Sequence, residues 1–318
     1  MHDPIADKPL LSPRKIALQV IFWLCGLGLL ALVIHGAFDK GGGAEMWQRI
    51  RAAPPHLLVA LLGCTLASAV LNGSTFWLTV QPLRAVRWRD MNLLNVFAGM
   101  LNYAPVRLGA IVRVAYHMRV DRLTLVQIGG WFALIGCILL MGIGATLLAT
   151  LVHERIDWIW LAIVLAQMIV GGAAMRFVAT VPIIARHARG LDRMVVHRRG
   201  LWGAIALRLL DLGAYAGRMG AAMAILGLHL PWSHVIVLAM VALAAGLTPF
   251  GKVGVREYCV ALMGARLNID AASVDKTIFE QLSLLESAGE ALVFIPLGAL
   301  ALPWFRARWR HARSASNA

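Results

Sequence analysis

Charge is what this chain has least of. Only 14% of its 318 residues are Asp, Glu, Lys or Arg, where a soluble domain carries about a quarter. Acidic residues are the scarcest, 16 against 30 Lys and Arg. Cysteine is also rare: Cys25, Cys64, Cys137 and Cys259 each sit in an apolar run and form no C-x-x-C pair. That removes a disulfide framework and a zinc site. The ten histidines show no H-x-x-x-H or H-E-x-x-H spacing, so a metal hydrolase has no support and neither metal nor cofactor is expected. The net charge of +14 forms no stripe and comes with no reading motif, so nucleic acid is not expected as a partner. The basic residues lie in short connections between apolar runs, where Lys and Arg set membrane topology.

What the chain has in abundance is apolar length. Hydrophobic residues make up 60% and mean hydropathy is +0.73. Six stretches, near 16–38, 56–80, 125–152, 158–182, 201–227 and 277–302, reach the roughly 20 residues a helix needs to cross a bilayer. The first follows Arg14 and Lys15, is long enough to span, and lacks a small-x-small cleavage site. It reads as a retained helix, not a signal peptide. Arginines after span two, between spans four and five, and in a basic tail at 303–318 place both termini in the cytoplasm. The connection 39–55, placed outside, fits less well because it carries Lys40, Arg49 and Arg51.

Two more apolar stretches, 91–118 and 234–266, are broken. One contains Leu101-Asn-Tyr-Ala-Pro105-Val-Arg107-Leu-Gly109-Ala-Ile-Val-Arg113, the other Leu247-Thr-Pro249-Phe-Gly251-Lys252-Val-Gly254-Val-Arg256-Glu257. Hydrocarbon rejects such residues unless they face protein or water. Each stretch reads as two half-helices meeting at a kink. Arg89 on one flank of the first, and Arg119 and Arg122 on the other, argue that it enters and leaves on one face. The alternative is two further full spans, which reverses some loops.

The halves repeat. Spans one and four start 142 residues apart, spans two and five 145, spans three and six 152, and the motif prolines lie 144 apart. The expected architecture is therefore an all-α integral membrane protein in one domain, residues 1–318. It has six full spans, two broken re-entrant segments, and halves 16–152 and 158–302 related by inverted topology. Paired broken helices at corresponding positions are a pointer to a transport-type site.

Several residues carry potential chemistry. Pro105 removes a backbone donor and Gly109 permits close approach. The half-helix beyond them offers free N–H groups, and Arg107 and Arg113 add fork-shaped cations suited to phosphate. Gly251, Lys252, Gly254 and Arg256 repeat that logic after Pro249. The bland alternative is a pair of tight turns with arginines snorkelling to lipid phosphate. In span five, Arg208, Asp211 and Arg218 form one polar stripe, which faces either a functional interior or an internally neutralised structural pair. In span six, Glu286 and Glu290 share a face, and two carboxylates in low dielectric do not both stay ionised unless paired. They are expected to bind protons, pair with arginines of the other half, or hold a cation. Glu280 reads as interfacial. Glu257 is placed to reach across the repeat interface.

At these motifs the chain resembles the transmembrane flippase-like domain of the lysylphosphatidylglycerol synthase family, whose motifs run P-x-R-x-G-E-x-x-R and P-x-G-G-x-G-x-R-E. Pro105, Arg107, Gly109 and Arg113 match the first; Pro249, Gly251, Gly254, Arg256 and Glu257 match the second. The resemblance covers about 16–302. Ala110 replaces the Glu of the first motif and Lys252 a Gly of the second. The soluble aminoacyl-transferase domain has no room in this chain, so lysyl transfer is not expected.

The resemblance implies a flippase in the inner membrane of a bacterium, moving an anionic phospholipid or lipid-linked phosphate headgroup. In that reading Arg107, Arg113, Arg256 and Lys252 contact phosphate, while Asp211, Arg218, Glu257, Glu286 and Glu290 pair or couple. The alternative is a non-transporting membrane subunit that scaffolds or regulates an envelope-lipid or glycan enzyme as its partner. An intramembrane enzyme is not expected, since no nucleophile–base pair or metal cluster is legible.

Overall fold

The computed structural model describes residues 13–38, 42–104, 108–181, 192–247, 254–267 and 277–317. Among these every regular element is a helix. In chain order they are α1 (Pro13–Phe38), α2 (Gly42–Ala52), α3 (Pro55–Val80), α4 (Trp88–Leu101), α5 (Leu108–Arg119), α6 (Leu125–Val152), α7 (Trp158–Thr180), α8 (Asp192–Val196), α9 (Arg198–Ile225), α10 (Trp232–Gly246), α11 (Val255–Leu267) and α12 (Thr277–Asn317). Five have the length and apolarity to cross a membrane: α1 over Val20–Phe38, α3, α6, α7, and α12 over Thr277–Ser314. The molecule is a multi-pass membrane protein. The 28 residues of α9 are as many as those of α6, but Arg208, Asp211 and Arg218 interrupt its apolar surface.

Local signals in the sequence start these helices. Thr124 accepts from the backbone N–H of Gln127, whose side chain accepts from the Thr124 N–H in return, a capping box for α6. The Asp157 carboxylate accepts from the N–H of Ile159 (2.9 Å) and Trp160 (3.1 Å) at the head of α7. His197 Nδ1 accepts from Gly200 N–H at 3.1 Å to open α9. Two elements differ from the sequence expectation. The connection 39–55 contains a helix, α2, in which Arg51 stacks on Trp47 and Arg49 pairs with Glu45 one turn back. The final helix runs on through Pro296 and Pro303 to Asn317. Both prolines are exposed, and the aromatic stack of Phe305 on Phe97, Tyr116 and Trp309 ties the extension to α4 and α5.

The helices pack extensively between the stretches 16–152 and 158–302. At the centre α3 lies along α9, the second span of one half against that of the other. Most other contacts come in matched pairs. In the first half α3 packs on α4, as α9 does on α10 in the second. Likewise α4 packs on α12 and α10 on α6; α1 on α12 and α7 on α6; α3 on α12 and α9 on α6. Exchange of the halves thus maps most of the contact pattern onto itself. The contact of α1 with α11 has no matching contact among the principal packing pairs.

Two apolar cores flank a polar layer. One gathers Leu139, Leu212, Met219, Leu238 and Phe279; the other gathers Trp131, Ile138, Met168, Leu201 and Ile205. Between them sit Ser68, the fourteenth of 26 residues in α3, and Asp211, the fourteenth of 28 in α9. The polar layer therefore lies at the middle of the two central helices. Hydrocarbon on both sides gives these polar groups no solvent, so each must be satisfied within the protein.

Candidate functional site

A cavity of about 500 Å³ opens at this layer. Its wall draws on both halves: Ser68, Asn72 and Phe76 of α3, Gly109 and Arg113 of α5, Arg208, Asp211 and Arg218 of α9, Arg256 of α11 and Glu290 of α12. Four guanidiniums and two carboxylates thus line one space.

The half-helices are brought to it by close backbone approach. At Gly109 a side chain would overlap the Ala98 carbonyl oxygen and the Asn102 amide, so α5 begins hard against the end of α4. Gly254 has φ +89°, a region that L side chains avoid. A Cβ there would also run into the Gly26 carbonyl of α1. The Gly254 N–H donates to Glu257 Oε2 at 2.6 Å, so Glu257 caps the first turn of α11. The far end of α5 is pinned by His117, fully buried, whose Nδ1 lies 2.6 Å from Asp121 and whose ring meets the Trp131 edge.

The buried charges fall into three groups. In the first, Asp211 accepts from Arg208 and from the Ser68 hydroxyl, each at 2.5 Å, and the Arg208 guanidinium also donates to the Asn72 oxygen at 3.2 Å. In the second, Arg218 and Arg256 meet three carboxylates. Arg218 is in close contact with Glu286 and lies 3.7 Å from Glu290. Arg256 is in close contact with Glu290, and 3.4 Å from both Glu286 and Glu257. Ser287 bridges Arg256 and Glu257. These five ionisable groups are each at most 3% exposed. They join α9, α11 and α12, and Arg218 also lies over the Tyr215 ring at 4.1 Å.

Arg113 makes the third group and differs from the others. It donates to the Asn95 amide oxygen at 2.7 Å and lies 4.2 Å above the Phe76 ring. Among the described residues it forms no ion pair. The Nε–H groups of Arg208, Arg218 and Arg256 are also buried without an acceptor among the described residues. Glu286 Oε1 likewise accepts no hydrogen bond among the described residues, so unbonded donors at the site outnumber unbonded acceptors.

The sequence stripe of Arg208, Asp211 and Arg218 and the pair Glu286 and Glu290 converge here, together with Gly109, Arg113, Gly254, Arg256 and Glu257. The arginines that meet Glu286 and Glu290 are Arg218 and Arg256 of their own half, not arginines of the other half, because α9 and α11 each pack on α12. Glu257 does not reach Arg113; its partners are Arg256, Ser287 and the Gly254 amide. Pro105, Arg107, Pro249, Gly251 and Lys252 lie outside the described residues. Sequence reasoning passed over Ser68, Asn72, Asn95 and Ser287. Each is a neutral polar residue in an apolar helix that holds others like it, and the bonds it makes set it apart.

The sequence matches the family described as lysylphosphatidylglycerol synthase TM region over residues 16–274. The chain belongs to this family. No curated protein and no solved structure matches it. The matched span of this lysylphosphatidylglycerol synthase TM region stops short of α12. Yet α12 supplies Glu286, Ser287 and Glu290, the groups that hold Arg218 and Arg256. Within this chain the charged site is thus shared between the family's matched region and a helix beyond it.

Proposed function

We propose that the protein is a lipid flippase that moves an anionic phospholipid or a lipid-linked phosphate headgroup between the leaflets of a bacterial inner membrane. The observation that carries this reading is the cavity between the two halves, in which Arg113 presents a guanidinium held, among the described residues, by an amide and an aromatic ring. A fixed cation with fork geometry in a low-dielectric cleft selects a phosphate or carboxylate. Membership of the family supports a membrane-lipid role.

In this reading α9 is the sixth crossing, its charges turned to the interior. The half-helices α4, α5, α10 and α11 have 12 to 15 residues each. At 1.5 Å per residue that is about 18–23 Å, less than the ~30 Å hydrocarbon core. Each pair therefore dips in and returns, the two pairs from opposite faces, with both termini in the cytoplasm. The matched packing of the halves favours alternating access by rocking of one half against the other around the polar layer. The ion pairs joining α9, α11 and α12 lie within the second half and hold it as one unit, while the bonds of Ser68 with Asp211 and of Arg208 with Asn72 cross between the halves. The test is exchange of headgroup-labelled phosphatidylglycerol and phosphatidylcholine between leaflets of vesicles with and without the protein. Acceleration of the anionic lipid over the neutral one is expected; no acceleration of either is the contrary result.

A further inference from the structure

The cations of the polar layer are treated unequally. Arg208, Arg218 and Arg256 each meet at least one carboxylate. Arg113, in the same cavity, meets the amide of Asn95 instead. The orientation of that amide is set by its surroundings. Its Nδ2 donates to the Ala69 carbonyl at 2.8 Å, which forces the oxygen toward Arg113. The same oxygen accepts from Asn72 Nδ2 at 3.3 Å, and the Asn72 oxygen accepts from Arg208. Asn95 is 3% exposed. Two amides therefore link the guanidinium of α5 to the ion pair at the centre of α9. Asn95 takes one of the guanidinium's donors without cancelling its charge.

We infer that Asn95, fixed by Ala69 and Asn72, is the positioning residue that keeps Arg113 charged and available, and so sets the preference of the cavity for an anionic headgroup. This rests on the flippase reading for its ligand. A neutral acceptor at this point holds the guanidinium in place by one bond. A carboxylate in its place would form a charge-assisted pair and leave no net positive charge for a ligand. Asn95→Asp changes the shape little but supplies that carboxylate. Asn95→Ala removes the acceptor and leaves the charge.

The experiment measures equilibrium binding of fluorescent phosphatidylglycerol and phosphatidylcholine to the purified full chain in neutral detergent. Wild type, Asn95→Asp, Asn95→Ala and Arg113→Ala are compared, each first shown to be monodisperse and helical. The expected result is a phosphatidylglycerol preference in wild type that Asn95→Asp lowers by about tenfold or more, the scale of one charge-assisted contact. Asn95→Ala, which gives up the bond that aims the guanidinium, lowers the preference by about threefold, less than Asn95→Asp does, and Arg113→Ala loses it as Asn95→Asp does. A structural role alone would move both Asn95 variants by the same amount. Equal loss in Asn95→Asp and Asn95→Ala, or a preference retained in Asn95→Asp but lost in Arg113→Ala, overturns the assignment to Asn95 while leaving Arg113 as the anion site. An Asn95→Asp chain that cannot be purified folded shifts the test to Asn72→Asp, one amide further along, expected to lower the preference less than Arg113→Ala does. No drop there overturns the inference. A wild type without any preference overturns both the inference and its premise. A wild type that binds phosphatidylglycerol but never moves it removes only the transport reading.

Discussion

Replacing Arg256 with methionine is the most severe test of how the polar layer is held together. The guanidinium is 2% exposed and touches Glu290 and Ser287 closely, with Glu257 and Glu286 at 3.4 Å. Without it, three carboxylates face the single guanidinium of Arg218, which lies 3.7 Å from Glu290. Breaking a buried ion pair from one side costs about 3–5 kcal/mol, because the stranded charge must be desolvated or protonated. Methionine preserves most of the volume, so little of the loss comes from a cavity. Unfolding by SDS titration in mixed micelles, followed by tryptophan fluorescence and circular dichroism, should therefore show a loss of about 3–5 kcal/mol for Arg256→Met. Adding Glu290→Gln removes one of the stranded charges. The double variant should be less impaired than the sum of the singles, by about 1–3 kcal/mol of coupling. A loss below about 1 kcal/mol, the scale of an exposed pair, or strict additivity of the two changes, would refute the view that these groups form one closed network.

Other consequences are smaller and more local. Gly254→Ala forces a left-handed dihedral on an L residue, at about 1–2 kcal/mol, and drives its methyl into the Gly26 carbonyl; the same SDS titration should show a loss at or above that value, and an unchanged midpoint would contradict it. Trp131 is fully buried and its indole N–H donates to Thr79 at 2.8 Å, so Trp131→Phe should lose about 1–3 kcal/mol for the lost bond and the smaller ring, read by the same titration. Asp157, on the connection before α7, is held below the ordinary carboxylate range first by the His153 ring and next by the Trp160 N–H. A lowered folded value means that its stabilising effect is complete above the unfolded value and is lost as pH falls through the folded one. Thermal melts should show wild type exceeding Asp157→Asn at neutral pH, the difference shrinking below about pH 4; a difference that grows in acid would reverse the sign.

Much of the charged site was legible in the sequence because low dielectric leaves ionised side chains few options. Arg208, Asp211 and Arg218 on one helical stripe, and Glu286 and Glu290 one turn apart, had to face protein, and they do. The pairing of Glu257 was not legible: it depends on the turn at Gly254, which aims the carboxylate back at its own helix start and not across to Arg113. Nor were Asn72 and Asn95, since an amide in an apolar helix has no periodic signature and its meaning lies in the guanidinium opposite. The length of α12 escaped because the apolar run stops near 302 and the arginines beyond it read as a basic tail; the helix continues through Pro296 and Pro303. Both stand on exposed faces, where the only carbonyls they strand lie one turn back, and neighbouring aromatic contacts carry the helix past them.

The measurement that bears most directly on the central claim is transbilayer movement of headgroup-labelled phosphatidylglycerol in proteoliposomes, with wild type beside folded Arg113→Ala. The account predicts protein-dependent movement of the anionic lipid that falls by about tenfold or more in the variant. Movement unchanged by Arg113→Ala, or none with wild type, would contradict it.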